Sequence, residues 1–235
     1  MALTLRSVKG SELTWNELDD NFTFLEDDTR FYEGSGDSSA VLRSSDLLNQ
    51  STSSGIYSIA SGYITDVGGD YAAGFGYDNT VTGNYSVVGG RTNSASGEHS
   101  FIFGLDNTTA STYTFCAGQS NDISTSSNWS YVFGNNNEVL AGSNYSTIIG
   151  GNINTISASQ NTSGIFSSTQ STMTANNSVI LGGISITATK DETAYVPNLE
   201  VTGTTVNMSN LPTVITGLST GDVWNDNGVL SIVTL

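Results

Sequence analysis

One short phrase, a serine followed by three mostly apolar residues and a glycine, recurs along the middle of this chain. Its clearest copies occupy residues 86–90, 100–104, 130–134, 146–150 and 178–182. Weaker copies begin at Ser58, Ala72, Thr114 and Ser163. The nine starts are 14–17 residues apart, and a short period sustained over such a length indicates a repeat architecture.

Each repeat carries the signals for two short strands. With the serine as position 0, positions +1 to +3 are mostly apolar, position +4 is glycine in every clear copy, and a strand of small residues follows a second turn. Position +7 is asparagine in five copies, namely Asn79, Asn93, Asn107, Asn121 and Asn137. Glycine and asparagine both tolerate a positive φ and favour turns. The repeat therefore predicts a coil of strand, turn, strand and turn.

The apolar run of each repeat constrains the assembly. Successive residues of a strand point to opposite faces, so apolar residues at +1, +2 and +3 make both faces of the first strand apolar. One face fills the flat coil, and the other needs a cover from outside the coil. We expect three chains side by side to bury this second face at a threefold axis.

The repeat pattern resembles the head repeats of trimeric autotransporter adhesins over residues 57–188. The resemblance implies an all-β fold, a homotrimeric left-handed parallel β-roll of about nine coils of 14–17 residues. The chain departs from that family at both ends: we expect no secretory signal at its start and no membrane-anchoring barrel in residues 189–235. These departures favour the same module on a phage appendage.

Residues 1–33 differ in character from the repeats. Thr14 and Glu17 form a capping-box pattern, and Leu18, Phe22 and Leu25 follow as one apolar stripe at helical spacing. Residues 9–25 resemble the opening segment of tailed-bacteriophage tail-fibre and virion-appendage proteins. The resemblance implies a helical segment for virion attachment or trimerisation, with other virion proteins as its partners.

The segments that flank the repeats have different predicted roles. Residues 34–56 are small and polar and predict a linker or neck. Residues 189–235 predict a small β cap, with strands around Gly203 and a hairpin at Asn227 and Gly228. Residues 217–233 resemble C-terminal segments of phage fibre and structural proteins.

Composition narrows the classes of function. The formal net charge of −16 repels phosphate backbones and anionic membranes, so we expect no nucleic-acid partner. No run in the sequence approaches the roughly 20 apolar residues of a membrane span, so we expect no membrane insertion. Cys116 is the single cysteine and lies at a core-type position, which excludes an intrachain disulfide. No metal-ligand spacing or phosphate loop occurs, so we expect no cofactor and no bound metal.

An aromatic residue stands one position before the start of seven consecutive repeats. The seven are Tyr57, Tyr71, Tyr85, His99, Tyr113, Trp129 and Tyr145. Stacking at the strand spacing of about 4.8 Å predicts an aromatic ladder along one edge. Two roles are open: mutual stacking that seals the roll or a subunit seam, and a glycan-binding track for sugar rings.

Two carboxylates also come together in the repeats. Asp122 and Glu138 share position +8 of adjacent coils, and we expect a separation of about 5 Å, as in retaining glycosidases. A solvated turn is the simpler interpretation, and a weak cation site is an intermediate one. No other pair of nucleophile and base is apparent in the sequence.

Together these features predict a non-enzymatic, homotrimeric structural fibre of a tailed bacteriophage. We expect it to be made in the host cytoplasm, to reside in the virion as a tail fibre, and to act in adsorption to a host-surface glycan or protein. One alternative is a head fibre, collar or baseplate component that binds no receptor. Another is a tail spike that binds or degrades polysaccharide.

Overall fold

The computed structural model describes residues 31–42, 50–200 and 211–234, apart from 215 and 219. Every regular element within these residues is a β-strand. The chain divides into two compact units, Met1–Pro197 and Asn198–Leu235, and all of the repeats belong to the first. The predicted N-terminal helix, with Leu18, Phe22 and Leu25, lies outside the described residues.

Two sheets of mainly parallel strands make up the described part of the first unit. The strands of the long sheet are, in order, β1 (Phe31–Glu33), β2 (Ala40–Leu42), β4 (Ile59–Tyr63), β6 (Ala73–Tyr77), β8 (Val87–Arg91), β10 (Phe101–Leu105), β12 (Phe115–Gln119), β14 (Tyr131–Asn135), β16 (Thr147–Asn152), β18 (Gly164–Phe166), β20 (Val179–Leu181) and β22 (Ala194–Tyr195). The strands of the short sheet are β3 (Thr52–Ser53), β5 (Asp66–Val67), β7 (Thr80–Val81), β9 (Ser94–Ala95), β11 (Thr108–Thr109), β13 (Asp122–Ile123), β15 (Glu138–Val139), β17 (Thr155–Ile156), β19 (Thr172–Met173) and β21 (Thr187–Ala188).

The chain alternates between the two sheets and forms a β-solenoid of ten coils, from β2 and β3 to β20 and β21. Within the coils, each long strand pairs in parallel with the long strand of the next coil, and equivalent repeat positions lie opposite each other, as for Phe101 and Phe115. The pairing of β14 with β16 departs from this rule after Phe133, where the register shifts by one residue. All nine predicted starts lie one residue before a long strand. The repeat prediction is therefore confirmed, and the solenoid has one coil more than the nine that the phrase marks.

The additional coil begins within the range predicted as a linker or neck. Strand β2 pairs in parallel with β4, and β3 pairs in parallel with β5. Strand β1 pairs antiparallel with β2, so the long sheet begins with a reversal of strand direction. Residues 43–49, between β2 and β3, lie outside the described part of the chain.

The interior of the solenoid is a narrow double row of apolar side chains. One row comes from the second residue of each long strand, such as Ile102, Val132 and Ile148, all fully buried. The other comes from the second residue of each short strand, such as Ile123 and Val139. Since each coil contributes little more than two side chains, no coil has a core of its own, and stability depends on stacking.

A ladder of buried asparagines lies beside this apolar interior. Six of them, Asn79, Asn93, Asn107, Asn121, Asn137 and Asn154, immediately precede short strands and are at most 1% exposed. The side-chain Nδ2 of Asn107 donates to Asn93 Oδ1 at 3.0 Å and to the carbonyl of Gly118 at 3.0 Å. Its Oδ1 accepts from the Nδ2 and the backbone N–H of Asn121 at 2.9 and 3.1 Å. The side-chain amide of Asn107 therefore links its own coil to the coils on both sides.

This ladder corrects the sequence interpretation of position +7. We expected asparagine there because it tolerates a positive φ, but none of these six asparagines adopts one. The preceding residue does instead, for example Asp106 at 58° and Ser120 at 53°. Asparagine occupies the position because a buried amide can donate to one coil and accept from the next.

Steric hindrance explains why glycine occupies position +4 in most repeats. Gly104 has a φ of 126°, and a Cβ atom there would lie 2.0 Å from the carbonyl oxygen of Gly118 in the next coil. Five other glycines of the phrase have φ between 115° and 137° and face the same obstacle. Close stacking of these six coils on the next therefore requires a residue without a side chain at this corner.

The second unit contains a hairpin, which confirms the Asn227–Gly228 turn prediction. Strand β23 (Val223–Asp226) pairs antiparallel with β24 (Val229–Ile232). Asn227 and Gly228 have φ of 50° and 93°, as a two-residue hairpin turn demands. Residues 198–200 are not in a strand, and 201–210, which include Gly203, lie outside the described residues.

The asparagine ladder leads to a stability prediction. We expect Asn107→Ala to lower the free energy of unfolding by about 3 kcal/mol or more, because it leaves buried groups of two neighbouring coils without partners. Asn135→Ala is the matched control: Asn135 is exposed in β14, and its loss should cost less than about 0.5 kcal/mol. Urea denaturation measures both, and equal losses would contradict the ladder's structural role.

Candidate functional site

The seven aromatic residues predicted as a ladder occupy one corner of the solenoid, where the chain turns into each long strand. All seven adopt a left-handed backbone conformation, with φ between 54° and 59°. This conformation costs a residue with a side chain about 1–2 kcal/mol. A bulky residue at every such corner therefore requires a compensating interaction.

Mutual stacking supplies that interaction. Successive ring centroids from Tyr57 to Tyr113 lie 4.7–5.3 Å apart, and the planes of the four rings from Tyr71 to Tyr113 are within 6° of parallel. Trp129 continues the stack at 4.1 Å from Tyr113, and Tyr145 ends it at 6.5 Å from Trp129. The predicted stacking is confirmed. Each ring pair contributes about 0.5–1.5 kcal/mol, which offsets the backbone strain.

Stacking determines which part of each ring is available to a ligand. The tyrosine and tryptophan side chains of the ladder are 40–60% exposed, and none belongs to the buried core. Inside the stack each ring face lies against a neighbouring ring, so edges and hydroxyl groups face solvent. Because a sugar packs its apolar side on a ring face, the stack can offer such a surface only at its ends.

The outer face of the long sheet, which we define as the first and third residues of β4 to β20, is also exposed. It carries Phe101, Phe103 and Tyr131, which are 42%, 39% and 41% exposed. Phe101 contacts the rings of Phe103 and Phe115 at centroid distances of 4.6 and 5.1 Å. None of the eighteen residues of this face is charged. The predicted second apolar face of the first strand is therefore confirmed.

The outer face of the short sheet differs in chemistry. The first residue of each short strand points outward, and these residues are threonine, serine or an acid, among them Asp66. Asp122 and Glu138 are direct partners in the parallel pairing of β13 and β15. Burial, and then the neighbouring Glu138 carboxylate, raise the pKa of Asp122 above its ordinary value.

The surroundings of this carboxylate pair are shallow. The depression beside it has a volume of about 320 Å³ and is lined by Ser120, Asn136 and Thr155 among others. No cluster of three or more histidine, cysteine or acidic residues that could hold a metal ion occurs in the described part of the chain. The structure therefore brings the two predicted acids together, and none of the other described residues that line this depression is acidic, basic or a histidine.

Cys116 is fully buried between the two sheets. Burial, and secondarily the charge of Asp122, raise the pKa of its thiol to about 12. A thiol that remains protonated is a poor nucleophile and a poor metal ligand. The interpretation of Cys116 as a small core residue is confirmed.

A second polar ladder, which the sequence analysis missed, lies two positions before the repeat start. Side-chain oxygens of Asn84, Asn128, Asn144, Asn161 and Asn176 accept backbone N–H groups of the preceding coil at 2.9–3.1 Å. The recurring phrase of asparagine, any residue and serine combines this ladder with the buried serine of position 0. The signal for this second ladder was present in the sequence, because the asparagine recurs at a constant distance of two residues before the serine.

A further stack lies at the far end of the long strands. Tyr63 and Tyr77 stack at 4.9 Å, and the Arg91 guanidinium lies 5.3 Å from the centre of the Tyr77 ring. These three residues occupy the last position of β4, β6 and β8. The sequence analysis did not single them out because the position is not aromatic in later coils.

No protein-family model and no curated protein matches this chain. Within the described residues, no helix has the length and apolar character needed to cross a membrane.

The ladder leads to a second stability prediction. We expect Tyr85→Ser to lower the free energy of unfolding by about 1–3 kcal/mol, because Tyr85 stacks with a ring on each side. Tyr145→Ser is the comparison, since Tyr145 has one ring partner at the longest distance, and its loss should be smaller. Thermal denaturation measures both variants, and an unchanged melting temperature for Tyr85→Ser would refute a stabilising role.

Proposed function

We propose that this chain is a homotrimeric, non-enzymatic structural fibre of a tailed bacteriophage that acts in adsorption to the host surface. The observation that carries the proposal is the uncharged, largely apolar outer face of the long sheet. The resemblance of residues 9–25 and 217–233 to phage appendage proteins supports a location in the virion. We assign adsorption to the surface that remains exposed in the trimer.

The distribution of charge supports self-association through the long sheet. The chain has 28 charged residues, yet none falls on the outer face of β4 to β20, whereas Asp66, Asp122 and Glu138 lie on the opposite sheet. Contiguous apolar surface of more than a few hundred Å² marks an interaction site on a soluble protein. Burying this face against its own copies covers the phenylalanines without removing any charge from water.

Three copies, rather than two, follow from the resemblance to trimeric autotransporter heads. In that arrangement the long sheets face a threefold axis and the short sheets face solvent. The resemblance also supplies the left-handed sense of the roll. The stripe of Leu18, Phe22 and Leu25 would join the trimer to another virion protein, and residues 189–235 would form its β cap.

A head fibre, collar or baseplate role is compatible with the same trimer. It differs from the leading proposal in having no receptor. Adsorption of the purified chain to a panel of bacterial strains distinguishes the two roles. Binding to a susceptible strain supports a tail fibre, and the absence of adsorption to every strain contradicts it.

The trimer leads to a third prediction. At micromolar concentration, analytical ultracentrifugation should give the mass of three chains, and Phe103→Asp should dissociate the assembly because it places a carboxylate on the buried face. Thr82→Asp is the control: Thr82 is exposed and follows β7 of the short sheet, so the trimer should persist. A monomeric wild type, or dissociation by both variants alike, would contradict the arrangement.

A polysaccharide-degrading spike is the second candidate, and one observation favours it. Asp122 and Glu138 are neighbours, and the pKa of Asp122 is raised, as a general acid requires. This candidate predicts that the wild type releases reducing ends from host polysaccharide and that Asp122→Asn abolishes the release. We expect no release, and cleavage lost in Asp122→Asn would overturn the non-enzymatic proposal.

A further inference from the structure

The corner occupied by the aromatic ladder continues beyond Tyr145, but without rings. Thr162, Asn177 and Glu192 stand at the next three corners with φ of 55°, 51° and 56°, the same backbone conformation as the ladder residues. A groove of about 480 Å³ takes the place of the missing rings. It is walled at one end by Tyr145 and along its length by Thr162, Asn177 and Glu192.

Tyr145 presents to this groove a ring face without an aromatic neighbour, which in the ladder it shares only with Tyr57 at the other end. Its single ring partner, Trp129, lies on the side away from the groove, at 6.5 Å. At 60%, its side chain is more exposed than that of Tyr85 at 53% or Tyr113 at 40%. The groove therefore begins at an open aromatic face of the kind that the interior of the stack cannot offer.

The polar side chains along the groove are available to a ligand. Those of Thr162, Asn177 and Glu192 are exposed and make no hydrogen bond with any described residue of the chain. One lies in each coil, so a hydroxyl, an amide and a carboxylate follow one another at about 4.8 Å. Gly164 also lines the groove, and a Cβ atom there would lie 2.8 Å from the ring of Phe166.

We propose that this groove binds a unit of a neutral glycan. The apolar side of a hexose ring would pack on Tyr145, and its hydroxyl groups would hydrogen-bond with Thr162, Asn177 and Glu192. The carboxylate of Glu192 and the net charge of −16 exclude an acidic sugar at this place. This inference rests on the proposed adsorption function and names the sugar class and the residues that bind it. It requires that the trimer leave the corner at Tyr145 uncovered, because Thr147, Gly164, Phe166 and Val179 of the outer face of the long sheet also line the groove.

An array of immobilised oligosaccharides tests the inference. It carries neutral glucose, galactose, mannose and N-acetylhexosamine oligomers beside sialylated and uronate-containing ones, and is probed with the full-length chain. We expect the wild type to bind at least one neutral oligosaccharide and no acidic one. Tyr145→Ala should weaken that binding about tenfold or more, the equivalent of one ring contact.

Thr162→Tyr is the sharper variant. Its new ring should stack on Tyr145, extend the ladder and fill the groove, so binding should be lost while the melting temperature rises. Tyr77→Ala is the control, because it removes an exposed tyrosine outside the groove and should bind as the wild type does. Ultracentrifugation of each variant shows whether the assembly is retained.

Three results would overturn the inference. They are a wild type that binds no neutral oligosaccharide, binding that survives both Tyr145→Ala and Thr162→Tyr, and a Tyr145→Ala variant whose assembly dissociates because a partner chain occupies the groove. Adsorption to bacterial cells separates this failure from that of the proposed function. If wild type and both variants adsorb equally, the groove proposal fails and adsorption stands. If the wild type adsorbs to no strain, the proposed function fails.

Discussion

The structure depends on one constraint, that each coil lies in register on the next. Parallel pairing places most repeat positions opposite their own copies, so each side chain has to be compatible with an identical or similar one at the strand spacing. Asn107 satisfies this requirement inside the solenoid by donating to Asn93 and accepting from Asn121. Gly104 satisfies it by leaving room for the carbonyl oxygen of Gly118.

The same constraint turns the surface of the solenoid into continuous stripes of uniform chemistry. The outer face of the long sheet becomes a strip without charge, the opposite face a strip of hydroxyls and acids, and the corner between coils a column of stacked rings. Within the column of rings, each ring face packs on a neighbouring ring. Ring faces without an aromatic neighbour therefore remain at the two ends of the column, Tyr57 and Tyr145, and not along its length.

Much of this arrangement could be predicted because period and face follow directly from residue type. The nine repeat starts, the two apolar faces and the stacking of the aromatic residues were all evident from spacing. The additional coil, which is the first along the chain, was not predicted because its phrase begins at Ser39 but has Arg43 in place of the glycine. The asparagines at position +7 were predicted as turn residues, whereas the structure uses their buried side chains for hydrogen bonds between coils. The sequence could not separate these two roles, because both favour asparagine. The groove beyond Tyr145 was not predicted, because it lies where the corner residues are no longer aromatic and no sequence motif marks such a place.

Protection of the asparagine side chains from hydrogen exchange tests the in-register stacking most directly. In two-dimensional ¹H–¹⁵N spectra recorded after transfer to heavy water, the Nδ2 protons of Asn93, Asn107, Asn121 and Asn137 should persist for hours, because each is buried and hydrogen-bonded between coils. The exposed Asn135 amide should exchange within the dead time. Exchange of the buried amides as fast as that of Asn135 would contradict the account.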